Sequence, residues 1–317
     1  VWPGLLVAAP LAWFELWLMR KALAKLQGRK GPPLFQPFFD WVKLMGKRTV
    51  IPEGVPRAAF VALPVIALAS IAAALVVMPV PGNPAPRLPG DVVLLLYLLE
   101  VPVLCEVVAG DDLTQDRHLV LLLYLLEVPV LCEVVAGYVG RSVYGEVGAM
   151  REALMSLAYN LPFLASVIAM AEWAGSFDLR TLAAAPFGLV HVVAGAAFLL
   201  ALPARLKSNP FSIANAEHEI VAGGLIEYSG PLLGLFELAH ALEIVVLTEL
   251  FVILFVPMPA APLAALVVWV AVGLALLMGL TLLAATTARL RLAQAFRFYW
   301  VWGGAMSVAA LAAGLAR

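Results

Sequence analysis

Three glutamates, Glu217, Glu219 and Glu227, fall within eleven residues of the polar stretch KSNPFSIANAEHEIVAGGLIEYSG, 207–230. Carboxylates gathered in one loop raise one another's pKa, and partial burial raises them further. Such groups hold and pass protons near neutral pH, which makes the stretch a candidate entry to a proton route. The blander reading is a solvated acidic loop. The glycines and aromatics among the acids favour close packing instead. Directly behind the loop, Glu237, His240 and Glu243 recur every three residues, a spacing that makes neighbours on one side of a helix. Ionisable groups inside an apolar run are functional candidates, and structural pairing across helices is the rival reading. These six residues are the proton-relay candidates. His191, alone on an apolar run with no second ligand at metal spacing, is expected to be a hydrogen-bonded structural residue.

The elements that must position these groups are apolar. The 317 residues are 63% hydrophobic and 13% charged, and mean hydropathy is +0.99. Soluble domains run nearer one half apolar and about one quarter charged. Runs of about twenty apolar residues, long enough to cross ~30 Å of hydrocarbon as helices, recur along the chain. The fold class expected is an all-α polytopic membrane protein, forming a single membrane domain over 1–317. About eight transmembrane helices are expected, near 1–19, 56–80, 119–138, 150–173, 187–205, 231–257, 263–285 and 298–315. An interfacial amphipathic helix is expected after Gly31-Pro32-Pro33, where Phe35, Phe38, Phe39 and Val42 interleave with Gln36, Asp40 and Lys43. The first run lacks a basic leader and a small-residue cleavage site, so it reads as a span. Glu15 inside it is expected to be interfacial, ion-paired or functional.

Residues 93–110 recur unchanged at 120–137. Charge bias decides how many crossings lie here. Nine Lys and Arg residues lie between Arg20 and Arg57, which places that loop inside. An odd number of crossings in the repeat puts seven more basic residues on the same side, sixteen of twenty in all. One span is therefore expected, formed by the second copy at 119–138, with both ends of the chain outside and the main loops cytoplasmic. Glu127 and Glu133, six residues apart in that copy, do not share a helix face and are each expected to bond to a neighbouring helix. Cys105 and Cys132 show no ligand spacing, so a disulfide framework or a metal site in this chain is not expected. No nucleotide fingerprint or hydrolase triad is present, and the chain is expected to be non-catalytic alone and to bind no nucleic acid.

LQGRKGPPLFQPFFDWVKLMGK resembles the first cytoplasmic loop of the respiratory complex I subunit 1 family, with Arg29, Gly31, Pro32, Gln36, Pro37, Asp40 and Lys43 in register. Its compact form is similar to the branch found in membrane-bound, energy-converting nickel–iron hydrogenases. The resemblance continues through Gly148, Ala149 and Arg151. It is strongest in the opening stretch, which keeps Pro210, Phe211, Glu217, Glu219, Val221-Ala222-Gly223 and Glu227-Tyr228-Ser229-Gly230. It departs at Ser212, Asn215, Asn160 and Ala293, where the family carries acids. The Asn160 departure matters most, because an amide cannot exchange protons as a carboxylate does.

The resemblance implies a membrane anchor subunit in the cell (inner or cytoplasmic) membrane. It would dock a hydrogenase-like nickel–iron large subunit and an iron–sulfur small subunit, beside antiporter-like membrane subunits. It would also relay the coupling of electron transfer to H⁺ or Na⁺ translocation. Arg29, Gln36, Asp40, Lys43, Arg151, Tyr228 and Arg291 are the residues expected to dock the partners or wall the cavity beneath them. The nickel–iron centre and iron–sulfur clusters would belong to the partners, with no cofactor in this chain. Two alternatives stay open: a quinone-site subunit of an NADH:quinone oxidoreductase, which would bind quinone, and a secondary ion transporter with inverted repeats and broken helices.

Overall fold

The computed structural model describes residues 4–78, 118–177, 179–259 and 261–316. The first copy of the repeat, and the question of whether it crosses the membrane, lies outside the described residues. Every regular element described is helical. The helices are α1 Gly4–Leu26, α2 Gln36–Met45, α3 Arg57–Val77, α4 His118–Val139, α5 Val143–Ala174 and the short α6 Leu179–Ala183. They continue as α7 Leu189–Arg205, the single turn α8 Glu217–Ile220, α9 Gly230–Phe255, α10 Pro262–Thr286, α11 Leu292–Phe298 and α12 Gly304–Leu315. A π turn, Tyr299–Gly303, joins the last two.

Among the described residues, five stretches are long and apolar enough to cross a membrane: Arg57–Val76, Val143–Ala174, Gly230–Phe255, Leu263–Thr286 and Leu292–Leu315. The apolar α7 is shorter, at 17 residues. Helix α1 runs past Arg20 and Lys21 to Leu26, beyond the end expected at residue 19. Arg and Lys are good helix formers, so nothing stops the helix before Gly28 adopts positive φ. Helix α2 forms where the amphipathic pattern required it. It leaves Phe35, Phe39 and Val42 exposed on one side and sets Phe38 and Trp41 against Trp13 of α1.

Helix α9 is the central element. It packs against α1, α2, α3, α7 and α10, and 89% of its apolar window is buried, against 17% for α10. An apolar helix exposed on one side meets lipid or a partner; one buried all round is a scaffold. The ionisable residues of α9 are therefore held among other helices, the condition under which intramembrane charge is tolerated.

Candidate functional site

The site is built from the cytoplasmic-end loops and the helix ends beneath them. The first loop is tied to α1, because Trp17 Nε1 donates to Pro32 O at 3.1 Å and Lys21 Nζ to Gly31 O at 3.2 Å. Gly31 lies so close to α1 that a Cβ there would sit 2.7 Å from Lys21 Cδ. The loop then reaches the 207–230 stretch. Val50 N donates to Ser229 Oγ at 3.1 Å, and Trp41 Nε1 donates to Gly234 O at 3.0 Å. Gly230, at φ +60°, brings the start of α9 against the Lys47 and Arg48 carbonyls. From the other side, Leu290 N donates to Pro210 O at 2.9 Å and Arg289 Nε to Ser212 Oγ at 3.1 Å. The loops with the most distinctive sequence thus form one continuous face.

The expected acidic cluster is not a cluster. Arg151 Nη1 donates to Glu219 Oε2 at 2.6 Å. That hydrogen bond and the guanidinium charge hold the Glu219 carboxyl below its ordinary pKa, not above it. Glu227 is half-buried, its side chain against Gly140. The side chain of Glu217 lies outside the described ones. The expectation of mutually raised carboxylates fails at Glu219 because a basic residue of α5, 68 positions away in sequence, intervenes.

Beneath the loop is a buried ionic network that sequence reasoning found only in part. Arg205, the last residue of α7, is fully buried. Its Nη1 donates to Glu127 Oε1 at 2.5 Å and to Asn160 Oδ1 at 3.3 Å, its Nη2 donates to Leu126 O at 2.7 Å, and its Nε lies 3.4 Å from Glu243 Oε1. The guanidinium stacks over the Phe163 ring at 4.6 Å. Glu243 Oε2 lies 3.6 Å from His240 Nδ1. Two residues after Arg205, Lys207 Nζ donates to Glu133 and lies 3.7 Å from Glu152. Burial acts to lower the Lys207 pKa, but the Glu133 and Glu152 carboxylates outweigh it and raise the ammonium above its ordinary value. Glu127 and Glu133 do bond to neighbouring elements, as expected. Arg205, Lys207 and Glu152 were missed as site residues. The available signal was charge balance: two buried acids in one apolar run require cations, and these two adjoin an apolar run.

Of the remaining candidates, Glu237 and Asp40 line a cavity of about 200 Å³ between α1, α2 and α9, together with Arg20 and Trp41. Asp40 accepts from Gln36 Nε2 at 2.7 Å and pairs with Arg20 at 3.6 Å and Lys43 at 3.8 Å. Glu237 therefore belongs to the cavity, while His240 and Glu243 belong to the network. Arg29, Lys43 and Arg291 are exposed on the loop face. Tyr228 is buried, its ring stacked on Phe60 with centroids 4.0 Å apart, so it shapes the face from below and offers no docking surface. His191 accepts a hydrogen bond from Gly188 N at 3.2 Å, a structural role. Among the described residues no group of three or more His, Cys, Asp or Glu could hold a metal ion.

The joined loops and the helices beneath them are matched as a whole by one sequence family: the NADH dehydrogenase profile covers residues 3–314. This chain belongs to that family. Among its relatives is an NADH-quinone oxidoreductase membrane protein of Syntrophobacter fumaroxidans, 31% identical over 308 residues, covering 93% of this chain and 86% of the relative. The corresponding NADH-quinone oxidoreductase chain of Dehalococcoides mccartyi is 27% identical over 295 residues, covering 90% and 76%. A solved structure, the membrane-bound sulfane sulfur reductase, described as an archaeal respiratory membrane complex, contains a chain of the same fold. Its TM-score is 0.80 and its identity 26%, over 98% of this chain and 96% of that one. As a family member the chain is a membrane subunit of the complex I type, in agreement with the resemblance carried by the first and 207–230 loops.

Proposed function

We propose that this chain is the membrane anchor of an energy-converting, hydrogenase-type complex in the cytoplasmic membrane, with eight spans and its joined loops facing the cytoplasm. A nickel–iron large subunit and an iron–sulfur small subunit dock on that face, and antiporter-like subunits lie alongside in the membrane. The chain relays the coupling of electron transfer to H⁺ or Na⁺ movement. One observation carries the reading. The 207–230 loop begins on Lys207, which grips Glu133 and Glu152, two residues after Arg205, which grips Glu127 and approaches Glu243. A charge change at the docking face therefore acts directly on buried ion pairs within the helices. In a low-dielectric setting, such pairs respond strongly to a neighbouring charge.

The test is made on the assembled complex in proteoliposomes. Glu243→Gln keeps the shape and removes the charge. Electron transfer is expected to persist while ion translocation falls; translocation in full proportion to electron transfer would refute the relay. The quinone reading rests on the relatives' names and on the cavity of about 200 Å³ lined by Arg20, Asp40 and Glu237. Charged walls of this kind suit a polar headgroup and match a long apolar tail poorly, and the compact GPP loop favours the hydrogenase-type assembly. The identity of the co-purifying large subunit separates hydrogenase, sulfur-reducing and quinone-reducing assemblies.

A further inference from the structure

Glu15 of α1 and Glu249 of α9 are both buried, and neither belongs to the network under the loops. On α9, Glu249 follows Glu243 by six residues, about 240° around the helix and ~9 Å along it. It therefore faces α1 and α10, whereas Glu243 faces Arg205 of α7. The two carboxyl groups line one pocket of about 60 Å³, together with Thr248, Trp269 and Gly273. Glu15 Oε2 is buried there without a hydrogen-bond partner. Thr248 Oγ1 donates to Ile244 O at 2.8 Å, which leaves its lone pairs free to accept. The volume is ample for a small ion with water, since one water needs about 10–15 Å³.

Two acids in an apolar pocket cannot both stay ionised without a counter-charge. The surrounding elements provide none among the described side chains. Helix α10 carries no titratable residue, and α3, packed on α1, carries only Arg57, at its first position. Arg20 of α1 pairs with Asp40 of α2, and Lys43 of α2 lies beside the same carboxylate. Arg205 of α7 is taken by Glu127 of α4, and Glu133 of α4 by Lys207. His191 of α7 accepts from Gly188, and on α9 itself His240 pairs with Glu243 while Glu237 faces the α2 cavity. The side chain of Arg180 in α6, which abuts α9, lies outside the described ones.

We infer that Glu15, Glu249 and the Thr248 hydroxyl form an exchangeable monovalent-cation site, for H⁺ or Na⁺, separate from the network under the docking loops. The pocket lies against α10, whose apolar window is only 17% buried, so the site sits at the edge of the subunit. Because it shares no residue with the network, its occupancy can be measured whether or not the relay of the previous subsection holds.

The probe is dicyclohexylcarbodiimide, an apolar reagent that couples to carboxyl groups, used on the intact complex with peptide mass spectrometry as readout. Labelling is expected at Glu15 or Glu249. If the site takes Na⁺, NaCl at about ten times its dissociation constant cuts labelling roughly tenfold at fixed pH, and choline chloride does not. If it takes only H⁺, labelling falls with rising pH and ignores Na⁺. Glu249→Gln is expected to abolish the cation or pH sensitivity of Glu15 labelling while the complex still assembles; Glu15→Gln makes the reciprocal test. No labelling of either residue, or labelling indifferent to both pH and Na⁺, overturns the proposal. So does labelling that appears only after the complex is dissociated, which would mean that a partner's basic side chain fills the pocket.

Discussion

Asn160 shows how one residue is fixed by its neighbours. Its Nδ2 donates to Glu127 Oε2 at 2.9 Å while its Oδ1 accepts from Arg205. A carboxylate there could only accept, and would add a third acid around a single guanidinium already facing Glu127 and Glu243. The amide is thus suited to this network, where the family pattern has an acid. Arg205→Met removes the cation and leaves Glu127 and Glu243 buried and unpaired. The expected loss is about 3–5 kcal/mol, read as a lower unfolding midpoint of the purified complex. The Arg205→Met/Glu127→Gln double variant should recover part of it. Glu227→Gln, on the half-buried acid against Gly140, is expected to uncouple or abolish turnover without preventing co-purification of the partners. The Arg151–Glu219 pair sets a pH dependence. Its carboxyl is held below the ordinary glutamate pKa, so the pair's contribution is present above about pH 4.3 and is lost as pH falls through the lower folded value. Carboxyl footprinting of Glu219 across acidic pH should show protonation later than for a free glutamate, and Arg151→Ala should abolish the delay.

At the scale of elements, the 207–230 loop is held by backbone contact as much as by charge. Gly223, at φ +57°, and Gly224 press into the crossing of α4 and α5. A methyl on Gly148 would fall 2.5 Å from Gly223 Cα, and one on Gly137 would fall 3.1 Å from Gly224 Cα. Side chains at these positions cannot be accommodated without moving a helix or the loop. Gly148→Ala should cost about 1–3 kcal/mol and raise amide exchange across 213–228, while leaving exchange in α10, which the loop does not touch, unchanged. Helix α9 links the loop to the interior. It starts on the docking face at Gly230, carries His240 and Glu243 past Arg205, and ends beyond Glu249 on the opposite side of its own axis.

The whole molecule is a bundle around α9 with its distinctive loops gathered at one end. That arrangement predicts a single-sided docking surface. Cysteines introduced at Arg29, Glu219 and Arg291 in a Cys132→Ala and Cys105→Ala background should all react with a membrane-impermeant maleimide from the cytoplasmic side only. A cysteine at Pro259, in the turn after α9, should react only from the other side. Bound partners should shield the first three and leave the fourth open. Labelling of any of the first three from the outside would overturn the topology.

The sequence alone determined the class of protein, because burying apolar runs of this length is a local property read from composition and spacing. It also determined the amphipathic α2 and the family, carried by the glycines and prolines that shape two loops. Tertiary structure alone decided the charge partners. Arg205 meets Glu127 across 78 residues, and Arg151 meets Glu219 across 68. Such encounters depend on how helices cross, which no local pattern encodes. An acid's pKa follows its neighbours in space, so the acidic loop that read as a proton-holding cluster divides into one paired surface glutamate and one half-buried one. The deeper acids, Glu127, Glu133, Glu152 and Glu243, emerge as the connected set.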